Sequence, residues 1–483
     1  MASRIECKRG MTFEECELTI LRSAVDKAEK IYSKQIIDNP EIKKIIDIVE
    51  NFLKSRQLIC YGGTAINNIL PVKDQFYDKE LELPDYDFYS KNPVEDAKEL
   101  ADIYYSKGFI DVEAKAGVHH GTYKVFVNFM PVADITYLSE PLYEAIKKDA
   151  IKVKGILYAP ANFLRMSMYL ELSRPRGDVS RWEKVLKRLL LLNRNHPLKK
   201  KDCDKMSIQR RLDTKKIDAG KVFDIIRNTV VDNDGVFFGG YANTLYSRFL
   251  PNKLQKKFKK VPDFDVLSEH PLKLSEQIQK KLESNGLKKI RIYKHEGIGE
   301  IIAPHYEVAV DKETVIFIYE PLACHSYNII KENDEDVRIA TIDTMLSFYL
   351  AFLYSDRTYY DKDRILCMAK YLFEVQQHNR LKQESILKRF SMNCYGQQQT
   401  INKLREEKAE KYRQLKNKRG TAEYDEWFLK YNPGNMPTPH ANIELPNALK
   451  VLRSKKSVTK KKSHKRKTPR NKTRVKNKVK NKK

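Results

Sequence analysis

The chain repeats itself, and no other feature limits its possible folds so strongly. Phe237-Phe238-Gly239-Gly240-Tyr241 echoes Cys60-Tyr61-Gly62-Gly63-Thr64, and Pro262-Asp263-Phe264-Asp265 echoes Pro84-Asp85-Tyr86-Asp87. Glu320-Pro321-Leu322 matches Glu140-Pro141-Leu142, and the SFYL beginning at Ser347 matches the SMYL beginning at Ser167. The offset drifts only from 177 to 180 residues across these matches, so the chain is read as two copies of one α/β unit.

In the first copy the apolar run Leu58 to Tyr61 predicts a strand that ends at Gly62 and Gly63. Thr64 to Leu70 then carries apolar residues at helical spacing and stops before Pro71. A strand, a glycine turn and a helix start bring backbone N–H groups and the positive end of a helix dipole to one spot, a geometry that holds phosphate. Asp85 and Asp87 alternate with Tyr86 and Phe88, so on a strand the acids share one face and the rings turn to the core. Adjacent carboxylates repel unless a cation lies between them, and Mg²⁺ is the usual one beside phosphates. Residues 124–137 read as one or two strands with a turn near Pro131, placing a third acid, Asp134, among Val132, Ala133 and Ile135.

Three acids beside a phosphate turn suit nucleotidyl transfer with two metal ions. Asp85 and Asp87 are expected to bind both ions, and Asp134 the one that activates an RNA 3′-hydroxyl. Gly62, Gly63 and Thr64 are expected to hold the β and γ phosphates, with Asn67 on the same short helix joining the nucleotide-binding set. Tyr158, Asn162 and Arg165, at the start of the next helix, are candidates for base or phosphate contacts; the competing reading is an ordinary packing helix. In the second copy the Glu-Pro-Leu offset puts Thr314 where Asp134 stands, and residues 314–319 hold no acid. Tyr241 also replaces Thr64. Copy one is therefore the active candidate, and copy two a scaffold or RNA-handling platform.

The formal net charge of +27 fits this reading, since 17 lysines and arginines and no acid fall between Arg453 and Lys483. A basic body with a basic tail suits a polyanion, RNA or DNA; the tail could also serve nuclear import or solubility. Seven cysteines without a C-x-x-C pair argue against a zinc ribbon or a disulfide framework and fit a reducing compartment. No apolar run approaches the roughly 18 residues of a membrane span, and the N-terminus lacks a signal-peptide core. P-loop, dinucleotide-fingerprint and kinase motifs are absent. Asp232-Asn-Asp-Gly reads as a turn rather than a calcium loop, and His119-His120 as a loop.

The GGT…DYD…D pattern, the duplicated unit with its decayed site, and the tracts YAPANFLRMSMYLELSRP and RWEKVLKRLLLL resemble the poly(A) polymerase catalytic subunit of large cytoplasmic DNA viruses, of pox and giant-virus type. The resemblance covers residues 20–390 and implies a polymerase-beta-like nucleotidyltransferase. Such an enzyme adds AMP from ATP to mRNA 3′ ends without a template, using Mg²⁺ or Mn²⁺. By position the metal acids are Asp85, Asp87 and Asp134. It further implies work in the host cytoplasm or virion, and a processivity partner or a homodimer that keeps hold of the RNA.

The expected architecture is α/β (α+β): two tandem units of mixed sheet plus helices, the second degenerate, with helical additions at both ends. Its expected segments are an N-terminal helical region (1–45), a catalytic unit (46–195), a basic linker (196–220), a degenerate unit (221–380), a charged helical region (381–452) and a disordered tail (453–483). Two alternatives remain open: another RNA terminal transferase of uridylyl or oligoadenylate type, and a non-catalytic RNA-binding protein on the same scaffold.

Overall fold

Two mixed eight-stranded sheets of one design carry the molecule. The computed structural model describes residues 10–77, 84–198, 203, 206, 218–258, 261–299, 301–379 and 382–434. The basic tail and most of the expected linker lie outside these residues.

The first copy runs α1 (Phe13–Ile37), α2 (Pro40–Arg56), β1 (Ile59–Cys60), α3 (Gly62–Ile69), β2 (Tyr86–Ser90) and α4 (Pro93–Ser106). It continues with β3 (Val112–Ala116), β4 (Thr122–Val127), β5 (Met130–Tyr137), α5 (Glu140–Lys148), β6 (Ile151–Val153), β7 (Ile156–Tyr158), α6 (Ala161–Leu172) and α7 (Trp182–Asn195). The second copy runs α8 (Ala219–Asp232), β8 (Val236–Phe237), α9 (Gly240–Ser247), α10 (Asn252–Gln255), β9 (Phe264–Leu267) and α11 (Pro271–Ser284). Then follow β10 (Ile290–His295), β11 (His305–Val310), β12 (Glu313–Tyr319), β13 (His325–Glu332), β14 (Glu335–Ala340), α12 (Ile342–Phe352) and α13 (Lys362–His378). The chain closes with β15 (Cys394–Tyr395), α14 (Ile401–Leu415), α15 (Ala422–Phe428) and β16 (Lys430–Tyr431).

The strand orders are β16-β3-β4-β5-β2-β1-β7-β6 and β10-β11-β12-β9-β8-β14-β13-β15. Seven strands of each sheet correspond one to one, and their directions agree. β2 and β5 are parallel, as are β9 and β12; β1 runs antiparallel to β2, as β8 does to β9. The internal repeat in the sequence is thus a repeat in space. The equivalent helices α6 and α12 pack against each other, with Phe163 edge-on to Tyr354 at 5.3 Å and Ser326 N donating to Ser173 O at 2.8 Å.

In the first sheet, Tyr86, Phe88, Ile135, Val125 and Ala114 are buried, and α2 and α4 supply Ile45, Val49, Leu53, Leu100 and Tyr104 to the same core. α2 packs on the first sheet although it begins before residue 46, inside the expected N-terminal region. The alternate positions (Asp87, Tyr89, Asp134, Thr136, Lys124, Lys115) are only half-buried, which leaves one face of the sheet accessible.

Several expectations need correction. The β4–β5 turn lies at Asn128 and Phe129, whose φ values are +49° and +64°; Pro131 is inside β5, opposite a bulge at Val125/Phe126. Asn supplies that backbone shape more readily than Pro, whose φ is fixed negative. The described part of the expected charged helical region (381–452) is not helical throughout, because β15 and irregular segments precede α14. The described residues after Gly420 are firmly attached: β16 pairs with β3, and Tyr123 Oη donates to Glu426 O at 2.7 Å. Disulfides join Cys203 to Cys367 and Cys324 to Cys394, across 164 and 70 residues of chain. Local cysteine spacing is blind to pairs that only folding brings together. Among the described residues no helix is long and apolar enough to cross a membrane.

Candidate active site

The site forms where β1, β2 and β5 lie side by side. Tyr61 N donates to Asp87 O at 2.9 Å, fixing the end of β1 against β2. The chain then turns through Gly62 at φ +71°, into α3, whose first turn no side chain caps. A Cβ on Gly62 would lie 2.5 Å from Asp87 Oδ2, so the glycine is required both by backbone shape and by the carboxylate above it. The Thr64 hydroxyl donates to Asp85 O at 2.6 Å and ties the helix start to the acid segment. The expected strand–turn–helix corner is present, next to the acids.

Asp87 and Asp134 are direct partners on parallel β2 and β5, and Asp85 immediately precedes β2. Their charges act on one another. The Asp87 carboxyl is pushed up to about 7, first by burial, then by Asp85 and Asp134, with Lys124 and Arg181 pulling the other way. Asp85, though exposed, is also raised, by desolvation first and then by Asp134, against Lys124. Lys124, opposite Asp134 on β4, forms an ion pair with it. As the side chains stand, no three His, Cys, Asp or Glu among the described residues are grouped closely enough to hold a metal. The donor set nevertheless fits a hard cation: three oxygen ligands from one sheet face, mutually destabilised as charges, with an ammonium group already on one of them.

The remaining expected contacts separate. Asn67 Oδ1 accepts from Phe76 N at 2.8 Å and Tyr77 N at 2.9 Å, so Asn67 fastens the loop after α3. Arg165 is fully buried and is spent on Asn162 Oδ1, Asn193 Oδ1 and His196 O. Asn162 is thus held by Arg165, and Arg165 ties α6 to the end of α7. Tyr158 Oη accepts from Asn68 Nδ2 at 3.0 Å and, with Thr64, Glu50 and Tyr77, lines a cleft of about 540 Å³ beside the corner.

Two participants escaped the sequence reading. One is Lys124, whose position opposite Asp134 depends on the turn falling at Asn128 and Phe129. The other is Arg188, on α7, in a tract from which no site residue was expected. Its Nη2 donates to Tyr77 Oη at 2.7 Å, its guanidinium lies 4.7 Å from the Phe76 ring centre, and its Nη1 would be 3.0 Å from a Cβ on Gly63. A fork-shaped cation therefore stands at the glycine corner.

The second copy keeps the layout and closes the space. Asp263 and Asp265 are 4% and 7% exposed. The backbone N–H of Tyr241 donates to Asp263 O at 3.1 Å, where copy one uses only the Thr64 hydroxyl. The Tyr241 ring packs among Phe223, Phe237 and Phe264, and Arg364 pairs with Asp263 at 3.8 Å. Strand register puts Phe317, not Thr314, opposite Asp265 and so in the place of Asp134. The three-residue discrepancy arises because β5 runs one residue further past Asp134 than β12 does past Phe317, and because Leu138 and Ser139 then separate β5 from Glu140, whereas Glu320 follows β12 directly. The third acid is missing either way.

Fold and site together define a mixed α/β unit duplicated in tandem, with one open copy and one sealed. Residues 47–178 match the family described as poly(A) polymerase catalytic subunit. A relative from Acanthamoeba polyphaga mimivirus, provisionally named poly(A) polymerase catalytic subunit, is 33% identical over 190 residues, 38% of this chain and 31% of that protein. One with the same provisional name from African swine fever virus (isolate Tick/Malawi/Lil 20-1/1983) is 34% identical over 180 residues, 36% of this chain and 38% of that protein. The chain spans about a third of the length of the curated relatives it matches. The crystal structure of the Megavirus polyadenylate synthase superposes with a TM-score of 0.74 at 21% identity, covering 95% of this chain and 92% of that one. The two share one fold over most of their length.

Proposed function

We propose that the protein is a template-independent polynucleotide adenylyltransferase that adds AMP from ATP to RNA 3′ ends and releases pyrophosphate. The observation that carries this reading is the set Asp85, Asp87 and Asp134 on one open sheet face against the Gly62 turn. The matched family and the similarity to viral proteins of that name support the choice of RNA and ATP. The reading includes work in the host cytoplasm and a partner subunit, and the words "catalytic subunit" in the relatives' name support the latter.

Asp85, Asp87 and Asp134 would hold Mg²⁺ or Mn²⁺, and the ions when bound supply charge neutralisation and acidify the attacking hydroxyl. The chain's own groups do the rest. Gly62, Gly63 and the open end of α3 receive the triphosphate, and the Arg188 fork neutralises its charge from the side. Asp134, once Lys124 is displaced from it, is placed to hold the proton of the 3′-hydroxyl. Tyr158 and Asn68 offer hydrogen bonds to the base in the cleft next to Thr64.

The test is incubation of the full chain with a labelled RNA primer, a divalent ion and each nucleoside triphosphate in turn. Extension with ATP alone is expected. Preference for UTP would transfer the assignment to a uridylyl enzyme, and no extension with any triphosphate would leave an RNA-binding scaffold.

A further inference from the structure

The open face of the first sheet carries a line of side chains that triphosphate binding does not use. Residues directly opposite on neighbouring strands project to the same face. The pairings Asp87–Asp134, Asp134–Lys124, Lys124–Lys115 and Lys115–Lys430 therefore form one row across β2, β5, β4, β3 and β16. At the ~4.8 Å strand spacing, the three steps from Asp134 to Lys430 cover about 14 Å. The row begins at the catalytic acids and ends at the outer edge of the sheet, where β16 delivers Lys430 from the far end of the described chain.

The lysines differ in how far they are engaged. Lys124 is paired with Asp134. Lys115 pairs with Glu113 at 2.9 Å, lies over the Phe126 ring at 4.0 Å, and keeps 42% of its side chain exposed. Lys430 is exposed. Like charges set directly across neighbouring strands destabilise a sheet. Three lysines abreast are a cost to folding that an anion laid along the row would remove. The glycine corner lies on the other side of the acids, at the end of β1, because β5 and β2 stand between β1 and the lysine-bearing strands. The triphosphate and whatever occupies the row therefore reach the acids from opposite sides.

We propose that Lys430, Lys115 and Lys124 form a track for the phosphate backbone of single-stranded RNA, leading the primer 3′ end from the sheet edge to Asp134. This rests on the adenylyltransferase reading. A binding measurement without nucleotide keeps the two separable: a chain that binds primer along the row but never extends it would sink the activity and leave the track standing.

The experiment measures the affinity of the full-length protein for a fluorescein-labelled oligoribonucleotide over a salt series, for the natural chain, Lys115→Gln/Lys430→Gln and Lys115→Arg/Lys430→Arg. Loss of two phosphate contacts is expected to weaken binding about tenfold at moderate salt and to lower the log–log salt slope by about 1.4. The arginine variant keeps both charges and should retain affinity and slope. Unchanged affinity and slope in the glutamine variant would overturn the proposal. So would equal losses in both variants, since the lysines would then matter only to sheet packing.

Discussion

Copy one and copy two start from nearly the same strand diagram and end with opposite interiors. At the paired acids copy one leaves the carboxylates accessible and copy two encloses them. The carboxylates of Asp85 and Asp87 reach solvent, whereas Asp263 and Asp265 are enclosed; a threonine hydroxyl fixes one corner, whereas a backbone N–H and an aromatic cluster fix the other. A duplicated unit can thus close its open face with no change of fold. Filling the pocket with Tyr241 and Phe317 converts an electrostatically strained site into an ordinary core.

The comparison can be broken most severely at the acids. Asp87→Asn should lower primer extension by about 10³-fold, while Asp265→Asn should leave the initial rate within about twofold. Equal losses would mean that both copies take part in the chemistry. Next, Phe317→Asp restores the missing acid in sequence but buries a charge, so chemical denaturation should show a loss of about 4 kcal/mol and assays no second activity. Gly62→Ala must both leave positive φ and displace Asp87; a rate loss of about 10²-fold is expected, with Gly239→Ala costing stability (about 1–3 kcal/mol) and not turnover.

Smaller effects sharpen the contrast. In the unfolded chain Asp87 titrates near 4, and in the folded one at about 7, so between these values the folded state binds the extra proton. Stability in chelator should therefore fall as pH rises through that window, by about 2 kcal/mol after allowing for solvent screening, and Asp87→Asn should flatten the curve. Arg188→Ala should raise the KM for ATP about tenfold without rescue by lysine, which lacks the planar fork. Arg364→Ala, in the sealed copy, should lower the melting temperature and leave the KM alone.

Much of this was legible in the chain itself, and the failures have physical causes. The duplication, the α3 corner and the facing acids were readable because each rests on local geometry: period two in a strand, a glycine before a helix. Arg165 misled because an arginine near a site invites a substrate contact, whereas its guanidinium satisfies buried carbonyls between α6 and α7. Arg188 and Lys124 were missed because their roles depend on which way a helix faces and where a hairpin turns. The disulfides and β16 were invisible for a related reason, since each joins residues far apart in sequence.

That last strand also orders the protein's birth. Lys430 and Tyr431 complete a sheet whose other members all lie before residue 159. On a ribosome, the open half must wait with a bare border while the sealed half is made and emerges. Only then can it acquire its outermost strand, and with it Lys430.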